Sequence, residues 1–295
     1  MRQNSLHPEA LNTDAVGMNT LKVKTLRRST IQNVFMHAFL LIMSFISLFP
    51  FYWMVVSSTN NTSQINIGKY TFGDQFLVNL HNLVSQVNLT NVFWNTSKIA
   101  ILNTVATLII CSMAGYAFEI YKSKGRDKVY VALLTTMMIP FAALMIPLFT
   151  MFGKAGLLDT HFAVIMPTVS VAFIIFYFRQ CTKSFPKELI DAARVEGVTE
   201  WKIFLHVYVP IMRPSYSAAF IIVFMNSWNA FLWPLIVLQS NELKTINLVL
   251  SSFASAYAPD FGLIMVGTVM STIPSLIIFF AMQKQFVASL TGAVK

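Results

Sequence analysis

Six long apolar runs, separated by polar segments, dominate the chain. They lie near 34–57, 95–119, 129–152, 161–182, 215–238 and 261–283. A helix needs about 20 mostly apolar residues to cross the hydrocarbon core of a bilayer, and each run is long enough. The pattern predicts an all-α integral membrane bundle with six transmembrane helices over 34–283. A polar tail, 1–33, precedes the bundle, and a short tail, 284–295, follows it.

The polar segment 186–210, between the fourth and fifth runs, departs from this pattern. It predicts a short helix after Pro186, with Glu188 and Asp191 in its first turns, where negative charge complements the helix dipole. Small side chains at Ala192 and Ala193 allow another surface to approach the backbone closely. The segment therefore suggests a docking site for a soluble partner.

Gly197 is expected to end this helix in a left-handed turn, and Thr199 to cap a second helix that Pro210 ends. An apolar stripe at i, i+3, i+4 and i+7 should pack that second helix against the spans; it comprises Trp201, Phe204, Leu205 and Tyr208. The alternative interpretation is a pair of interfacial helices that only lie on the membrane.

Composition supports a membrane protein. Only 11% of the residues are charged and the mean hydropathy is +0.63, whereas soluble domains have about 25% charged residues. The net charge of +9 comes from residues that flank the apolar runs and form no block, so it indicates membrane topology and not nucleic-acid binding. Cys111 and Cys181 lie in or beside apolar runs and support no disulfide framework.

The distribution of Lys and Arg predicts the orientation. Of the 21 such residues, all except Lys69, Lys98, Lys154 and Lys244 lie on the side of the membrane that holds 186–210 and both termini. The positive-inside rule places that side in the cytoplasm. The expected location is the inner membrane of a bacterial or archaeal cell, crossed several times.

Motifs of catalysis and of metal binding are absent from the sequence. Neither Gly68-Lys69 nor Gly153-Lys154 continues into a phosphate loop, and the five histidines are scattered. We therefore expect no catalytic residue, no metal site and no cofactor of its own. The apolar runs also lack the carboxylates at mid-membrane depth that ion-coupled carriers usually need, which disfavours the alternatives of a secondary carrier or a channel.

Neutral polar residues form two stripes within the apolar runs. Asn226, Asn229 and Trp233 follow i, i+3, i+7 spacing in the fifth run. In the sixth run the stripe comprises Thr268, Ser271, Thr272 and Ser275. An uncharged path lined by hydroxyls, amides and aromatic rings suits a sugar. The alternative is that these groups hold helices together or bond to their own backbone.

The spacing within 186–210 closely resembles the coupling loop of the membrane subunits of ABC importers. That family has Glu-Ala-Ala, three residues, Gly, nine residues, and Ile-x-Leu-Pro. Here Asp191-Ala192-Ala193 is followed three residues later by Gly197 and, after nine more, by Val207-Tyr208-Val209-Pro210. The departures, Asp for Glu and Val for Ile and Leu, are conservative. The resemblance assigns ATPase coupling to Glu188, Asp191, Ala192, Ala193, Gly197 and Pro210.

Other stretches are similar to carbohydrate-type permeases, and the last resembles the end of the six-span maltose-type subunit. They are 114–118 with Gly125-Arg126, 156–160, 228–235 and 286–295. The resemblance implies a permease subunit of a sugar or oligosaccharide importer, paired with a second permease, two ATPase subunits that bind the ATP, and an extracytoplasmic sugar-binding protein. ATP would move the 188–209 segment and reorient the spans by alternating access. A permease for another polar solute remains the alternative.

Overall fold

A computed structural model describes residues 30–290, with side chains over 33–284, and every regular element in that part of the chain is helical. The predicted all-α class is confirmed. The tail expected at 1–33 lies almost wholly outside the described residues; of the C-terminal tail expected at 284–295, residues 284–290 continue the last helix and 291–295 lie outside the described residues. The α-helices are α1 Thr30–Ser58, α2 Thr62–Asn66, α3 Phe76–Gln86, α4 Leu89–Ile120, α5 Lys124–Thr135, α6 Phe141–Lys154, α7 His161–Ile165, α8 Ala172–Lys183, α9 Lys187–Val195, α10 Glu200–Ile203, α11 Val209–Ile211, α12 Arg213–Trp228, α13 Leu232–Val237, α14 Ile246–Ala254 and α15 Phe261–Leu290.

The chain divides into two compact units, Met1–Tyr52 and Trp53–Lys295. In its described part the first unit holds α1 as far as Tyr52; the whole helix is long and apolar enough to cross a membrane from Asn33 to Ser58. The second unit holds the remaining helices and both candidate sites.

The helices are compatible with the six predicted spans. Besides α1, three segments within 30–290 are long and apolar enough to cross a membrane: Leu89–Ile120, Arg213–Val237 and Phe261–Lys284. Two bent pairs complete the six if each pair counts as one span. The first joins Lys124–Met138 to Phe141–Lys154 with a bend of 100°, and the second joins His161–Thr168 to Ala172–Lys183 with a bend of 45°.

The bends have local causes. At the first, Ile139 has ψ 116°, the extended conformation favoured before a proline, and Pro140 then occupies the N-cap position of α6. At the second, a short 3₁₀ turn, Met166–Thr168, contains Pro167, and the chain is extended at Val171 before α8 begins. Each proline lacks the N–H that a continuous helix requires.

The second unit is held together by α4, which packs against α8 and α12, while α12 also packs against α15. Gly115 allows the closest of these approaches. A Cβ at this position would lie 2.6 Å from Cβ of Phe178 and 2.8 Å from the backbone nitrogen of Arg179. The absence of a side chain therefore brings α4 directly against α8 at the end of the bundle that we call the basic end, where α4 and α8 end and α12 begins.

A carboxylate fixes the loops at the opposite end. Asp159 has a left-handed backbone conformation, with φ 57°, and its side chain contacts Gln239 and Ser240, which follow α13. Its Oδ1 accepts hydrogen bonds from the backbone nitrogens of Gln239, at 2.8 Å, and Ser240, at 3.0 Å. The 156–160 stretch thus positions the connection between α13 and α14.

Candidate functional site

The segment 186–210 begins with Pro186 and α9, whose last turn is closed by Gly197. The backbone nitrogen of Val198 donates to the carbonyl of Ala193 at 3.0 Å, and that of Gly197 donates to the carbonyl of Arg194 at 3.0 Å. This pair of bonds is the Schellman arrangement, which requires a left-handed residue at its centre. Gly197 has φ 76°, so the predicted turn has the conformation that glycine favours.

The two faces of α9 differ in exposure. Ile190 and Ala193 are buried in a cluster with Tyr116, Phe204 and Tyr208. The opposite face is open and carries charges beside apolar side chains: Glu188, Leu189, Asp191, Ala192 and Val195. Of the small residues singled out from the sequence, only Ala192 is therefore available to a partner, because Ala193 faces the chain itself.

Val195 extends this exposed face and is a residue that the sequence pattern did not single out. Its side chain is 90% exposed, and Leu189 is 43% exposed. Apolar groups beside carboxylates on one open helix face form a surface suited to a protein partner. The only signal in the sequence was a valine two residues before the turn glycine.

The second helical stretch differs from the predicted stripe. It runs as α10, a π-helical turn from Phe204 to Tyr208, and then α11. Phe204 and Tyr208 are buried as expected, whereas Trp201 and Leu205 are 55% and 40% exposed. The π turn rotates the side chains away from 3.6-residue spacing, so the stripe does not form one buried face.

The structure also corrects two predictions about where the helices of this stretch begin and end. Thr199 occupies the N-cap position of α10, but its side chain makes no capping hydrogen bond. Pro210 lies in the first turn of α11 and does not end the helical path, which continues to Ile211. The widened π turn directly precedes it, so the proline follows a backbone already displaced from α-helical bonding.

Charged groups join the two helices of the segment. Arg194 lies 2.7 Å through Nε from Oε1 of Glu200 and 3.2 Å through Nη1 from Oδ1 of Asp191. The hydroxyl of Tyr121, just after α4, donates to Oε2 of Glu200. The Arg194 guanidinium and the Tyr121 hydroxyl hold the pKa of Glu200 below its ordinary value. Asp191, a predicted coupling residue, is thus tied to the turn through Arg194.

The predicted face of the fifth span is interrupted. α12 ends at Trp228 and α13 begins at Leu232, so Trp233 does not share a helical face with Asn226 and Asn229. Trp233 is 4% exposed, and its Nε1 donates to the carbonyl of Ala163 at 3.0 Å. The expectation of one continuous face is therefore wrong, because the helix breaks between its second and third members.

Asn229 instead meets the stripe of the last span. A cavity of about 390 Å³ lies between α12, α14 and α15. Its polar lining comprises Asn229, Asn247, Thr268, Ser271, Thr272 and Ser275. The Thr268 and Thr272 hydroxyls donate to backbone carbonyls four residues earlier, both at 2.8 Å. These two hydroxyls are satisfied within α15 and still present polar oxygen atoms to the cavity.

Asn226 lines a second cavity, of about 220 Å³, beside the bend before α8. Thr168 and Trp233 also line it, together with Asn103 of α4, which the sequence analysis did not single out. Asn103 is 6% exposed and its Oδ1 accepts a hydrogen bond from the Thr168 hydroxyl at 3.0 Å. The exposed amides of Asn226 and Asn229 thus border two different cavities.

α4 carries a row of polar groups that serve this bend. Asn103, Thr107 and Cys111 follow one another at four-residue spacing. The Thr107 hydroxyl donates to the Thr168 carbonyl at 3.5 Å, and the Cys111 thiol donates to the Val169 carbonyl at 3.6 Å. These groups satisfy carbonyls that a continuous helix would have bonded internally.

No group of three or more His, Cys, Asp or Glu side chains that could hold a metal ion occurs among the described residues. The ionisable groups of the second unit that form ion pairs gather at the basic end. The cavities beside α12 are lined by uncharged side chains. The arrangement supports passage or binding of a neutral polar molecule and offers no acid–base or nucleophilic pair at either cavity.

Comparisons with known proteins agree with this description. Residues 111–292 match the family described as binding-protein-dependent transport system inner membrane component. The chain is 55% identical to the lactose transport system permease protein LacG of Rhizobium radiobacter, over 92% of this chain and 99% of the relative. It is 37% identical to the arabinooligosaccharides transport system permease protein AraQ of Halalkalibacterium halodurans, over 85% and 92%.

A solved structure shares the fold. The crystal structure of a bacterial ABC transporter involved in the import of the acidic polysaccharide alginate contains a chain that superposes with a TM-score of 0.78 and 22% identity. The match covers 88% of this chain and 98% of that one. With the family match over most of the second unit, this chain belongs to the inner membrane components of binding-protein-dependent transport systems, which are non-catalytic permease subunits.

Proposed function

We propose that the chain is the permease subunit of an ATP-driven importer for a disaccharide or short oligosaccharide. The substrate class is supported by the relatives named for lactose and arabinooligosaccharide transport. The uncharged linings of both cavities beside α12 are consistent with a neutral sugar. Asn226, Asn229, Ser271, Thr272 and Ser275 border the proposed path, and the buried Trp233 lines it beside Asn226.

The observation that carries the proposal is the open face of α9. Its carboxylates and apolar side chains point away from the bundle, while its other face is anchored among aromatic residues. A helix that only rested on the membrane would direct an apolar face to lipid and carry its charges on the other. Here Leu189 and Val195 share the open face with Glu188 and Asp191, which favours a protein partner, namely an ATPase subunit.

The complete importer would contain a second permease, two ATPase subunits and an extracytoplasmic sugar-binding protein. The chain itself would bind no ATP, in keeping with the missing phosphate loop. The positive-inside rule orients the basic end, and with it 186–210, toward the cytoplasm. Both termini would then lie in the cytoplasm of a cell bounded by this membrane.

The direct test is uptake by the whole complex in proteoliposomes. Radiolabelled lactose should accumulate only with internal ATP and external binding protein, and unlabelled disaccharides should compete with it. Competition by glycerol 3-phosphate alone would favour the alternative of another polar solute. Accumulation driven by a proton or sodium gradient without ATP would contradict the proposal and support a secondary carrier.

A further inference from the structure

A buried carboxylate lies in the last turn of α4. Glu119 is 2% exposed, and its Oε1 lies 2.8 Å from Nζ of Lys122 and 3.1 Å from Nζ of Lys187. Its Oε2 lies 3.6 Å from Nε of Arg179, an ion pair beyond hydrogen-bond length. Burying a charge is costly unless opposite charges compensate it. Three cations do so here, and they belong to three different segments.

Arg179, near the end of α8, is itself held from another direction. Its Nη2 lies 2.9 Å from Oδ1 of Asp127, and its guanidinium lies 3.9 Å from the centre of the Tyr130 ring. Asp127 and Tyr130 belong to α5. The Glu119 cluster, defined as Glu119 with Lys122, Arg179, Lys187 and Asp127, therefore joins α4, α5, α8 and α9.

The bond to Lys187 is the link that matters for coupling. Lys187 is the first residue of α9, directly after Pro186, whereas Lys122 lies only three residues beyond Glu119 on the same stretch of chain. A displacement of α9 is therefore transmitted to Glu119, and through Arg179 to α8. The apolar packing of Ile190 and Ala193 on Tyr116 also holds α9 against α4, and the Lys187 bond adds a charged link at the first residue of α9.

We propose that Glu119 is a positioning residue that makes the coupling loop, α4 and α8 move as one body when the ATPases close. The inference rests on the proposed function, because it assumes that α9 receives that movement. It assigns to Glu119, which lies outside the 186–210 segment, a role that the loop motif itself does not contain. A carboxylate that served only to satisfy nearby lysines would tolerate loss of either lysine equally.

The test compares three variants in the assembled transporter. Lys187→Met breaks the link to α9, and Glu119→Gln removes the charge but keeps the shape. Lys122→Met is the matched control, since it removes a lysine from the same oxygen without detaching α9. Lys122 and Lys187 are both about half exposed (52% and 47%), so each lysine reaches water when its partner is lost. Arg179 keeps Asp127 in all three variants.

Two measurements are made on each variant. Hydrogen exchange of the 187–195 amides, which needs no transported sugar, reports how firmly α9 is held. The ATP hydrolysed per radiolabelled lactose accumulated reports coupling. We expect exchange to accelerate about fivefold or more, and the ATP cost per sugar to rise at least about threefold, in Glu119→Gln and Lys187→Met, with little change in Lys122→Met. A variant that combines Glu119→Gln with Lys187→Met should show no faster exchange and no higher ATP cost per sugar than the more affected of the two single variants.

Two outcomes would overturn the inference. The first is that Glu119→Gln and Lys187→Met both keep the hydrogen exchange and the ATP cost per sugar of the parent protein. The second is that Lys122→Met changes these two quantities as much as Lys187→Met does. Gly197→Val separates this failure from failure of the proposed function. If Gly197→Val uncouples the transporter while the Glu119 variants do not, the loop couples without Glu119. If Gly197→Val also transports normally, the loop is not the coupling element.

Discussion

Arg194 and Glu200 face each other across the turn at Gly197, with Nε of the arginine 2.7 Å from Oε1 of the glutamate. The pair joins the last turn of α9 to the first turn of α10. Because the Tyr121 hydroxyl also donates to Glu200, the end of α4 is attached to the same point. The turn is therefore fixed by its backbone bonds and by side chains on both flanks.

Acid should loosen this turn. The pKa of Glu200 is held below its ordinary value of 4.5, chiefly by Arg194. A carboxyl whose pKa is lowered on folding stabilises the fold above its unfolded pKa, and that contribution disappears as the pH falls through the lowered value. At pH 7, Glu200→Gln should destabilise the protein by about 0.2–1 kcal/mol, since the pair is half exposed. The difference between the parent and the variant in detergent melting curves should shrink as the pH falls below 4.5 and vanish once the pH is below the lowered pKa of Glu200.

Glu196→Gln is the control for this measurement. Glu196 is exposed in the same turn and takes part in none of the ion pairs formed by residues 33–284. Its substitution should leave the melting temperature unchanged at both pH values. An equal loss in the two variants at pH 7 would show that general charge, and not the Arg194 contact, determines the stability of the turn.

The left-handed backbone conformation at Gly197 predicts which substitutions this position tolerates. A Cβ there meets no atom within 4 Å, so any penalty comes from the positive φ alone. Gly197→Val should cost about 1–2 kcal/mol and lower transport, whereas Gly197→Asn should retain most function because asparagine tolerates this region. Uptake by the reconstituted complex distinguishes them. Equal activity of the two variants would mean that the turn relaxes without consequence.

The open face of α9 should mediate association with the ATPases. Asp191→Lys reverses a charge and repels Arg194, and Val195→Asp places a charge on an apolar contact surface. Each should reduce co-purification of the ATPase subunits at least about tenfold, while the chain remains inserted, because neither side chain is buried. Ala193→Asp serves as a contrast: it should destabilise the segment itself, since Ala193 is 8% exposed. Unchanged co-purification of both surface variants would exclude this face as the contact.

Asn229 allows the path to be separated from helix packing. Among the described residues its Nδ2 donates to the Met225 carbonyl, at 2.9 Å, and the side chain is exposed toward the 390 Å³ cavity. Asn229→Leu should change stability by less than about 0.6 kcal/mol yet slow uptake or alter the preference between two competing sugars. A cysteine at 229 should react with a small water-soluble thiol reagent at a rate that depends on bound nucleotide.

Trp228→Phe is the matched comparison for Asn229→Leu. Trp228 is 2% exposed and its Nε1 donates to the Ser271 carbonyl at 3.1 Å, so its loss should cost about 1–3 kcal/mol. If Asn229→Leu destabilises as much as Trp228→Phe and leaves sugar preference unchanged, Asn229 holds helices together. Absence of cysteine labelling in every nucleotide state would equally contradict its place on the path.

The isolated chain should neither hydrolyse nor tightly bind ATP, because its glycine–lysine pairs lack the serine or threonine of a phosphate loop. Crosslinking with a photoreactive ATP analogue provides the measurement. The assembled complex should label its ATPase subunits and leave this chain unlabelled. Labelling of the purified chain that micromolar ATP displaces would contradict the prediction.

Hydropathy located the spans but not their breaks. The apolar runs near 129–152 and 161–182 were each predicted to be one helix, because the length and composition of a run do not show whether its helix axis changes direction. Pro140 marks the position of the first bend in the sequence, but the angle of 100° is seen only in the structure. The second bend falls at 169–171, just after Pro167, and its carbonyls accept hydrogen bonds from Thr107 and Cys111, which are distant in sequence.

In the candidate site the turn at Gly197 was predicted correctly, whereas the Thr199 cap, the stop at Pro210 and the tertiary contacts were not. Gly197 could be predicted because a left-handed turn is a property of a few consecutive residues. The burial of Ala193, the exposure of Val195 and the Arg194–Glu200 pair depend on how α9 meets its neighbours. Trp233 was wrongly predicted to share a helical face with Asn229, because the prediction assumed a continuous helix across the break between Trp228 and Leu232.

The row of polar groups on α4 has a consequence for how the protein is made. A nascent fourth span leaves the translocation machinery with the Thr168 and Val169 carbonyls outside regular helical bonding, and hydrocarbon offers them no donor. Thr107 and Cys111 are the donors that they meet in the finished bundle. We therefore expect the second span to remain at the exit site until the fourth arrives. Biogenesis of this permease thus favours retention of early segments over their release one by one into lipid.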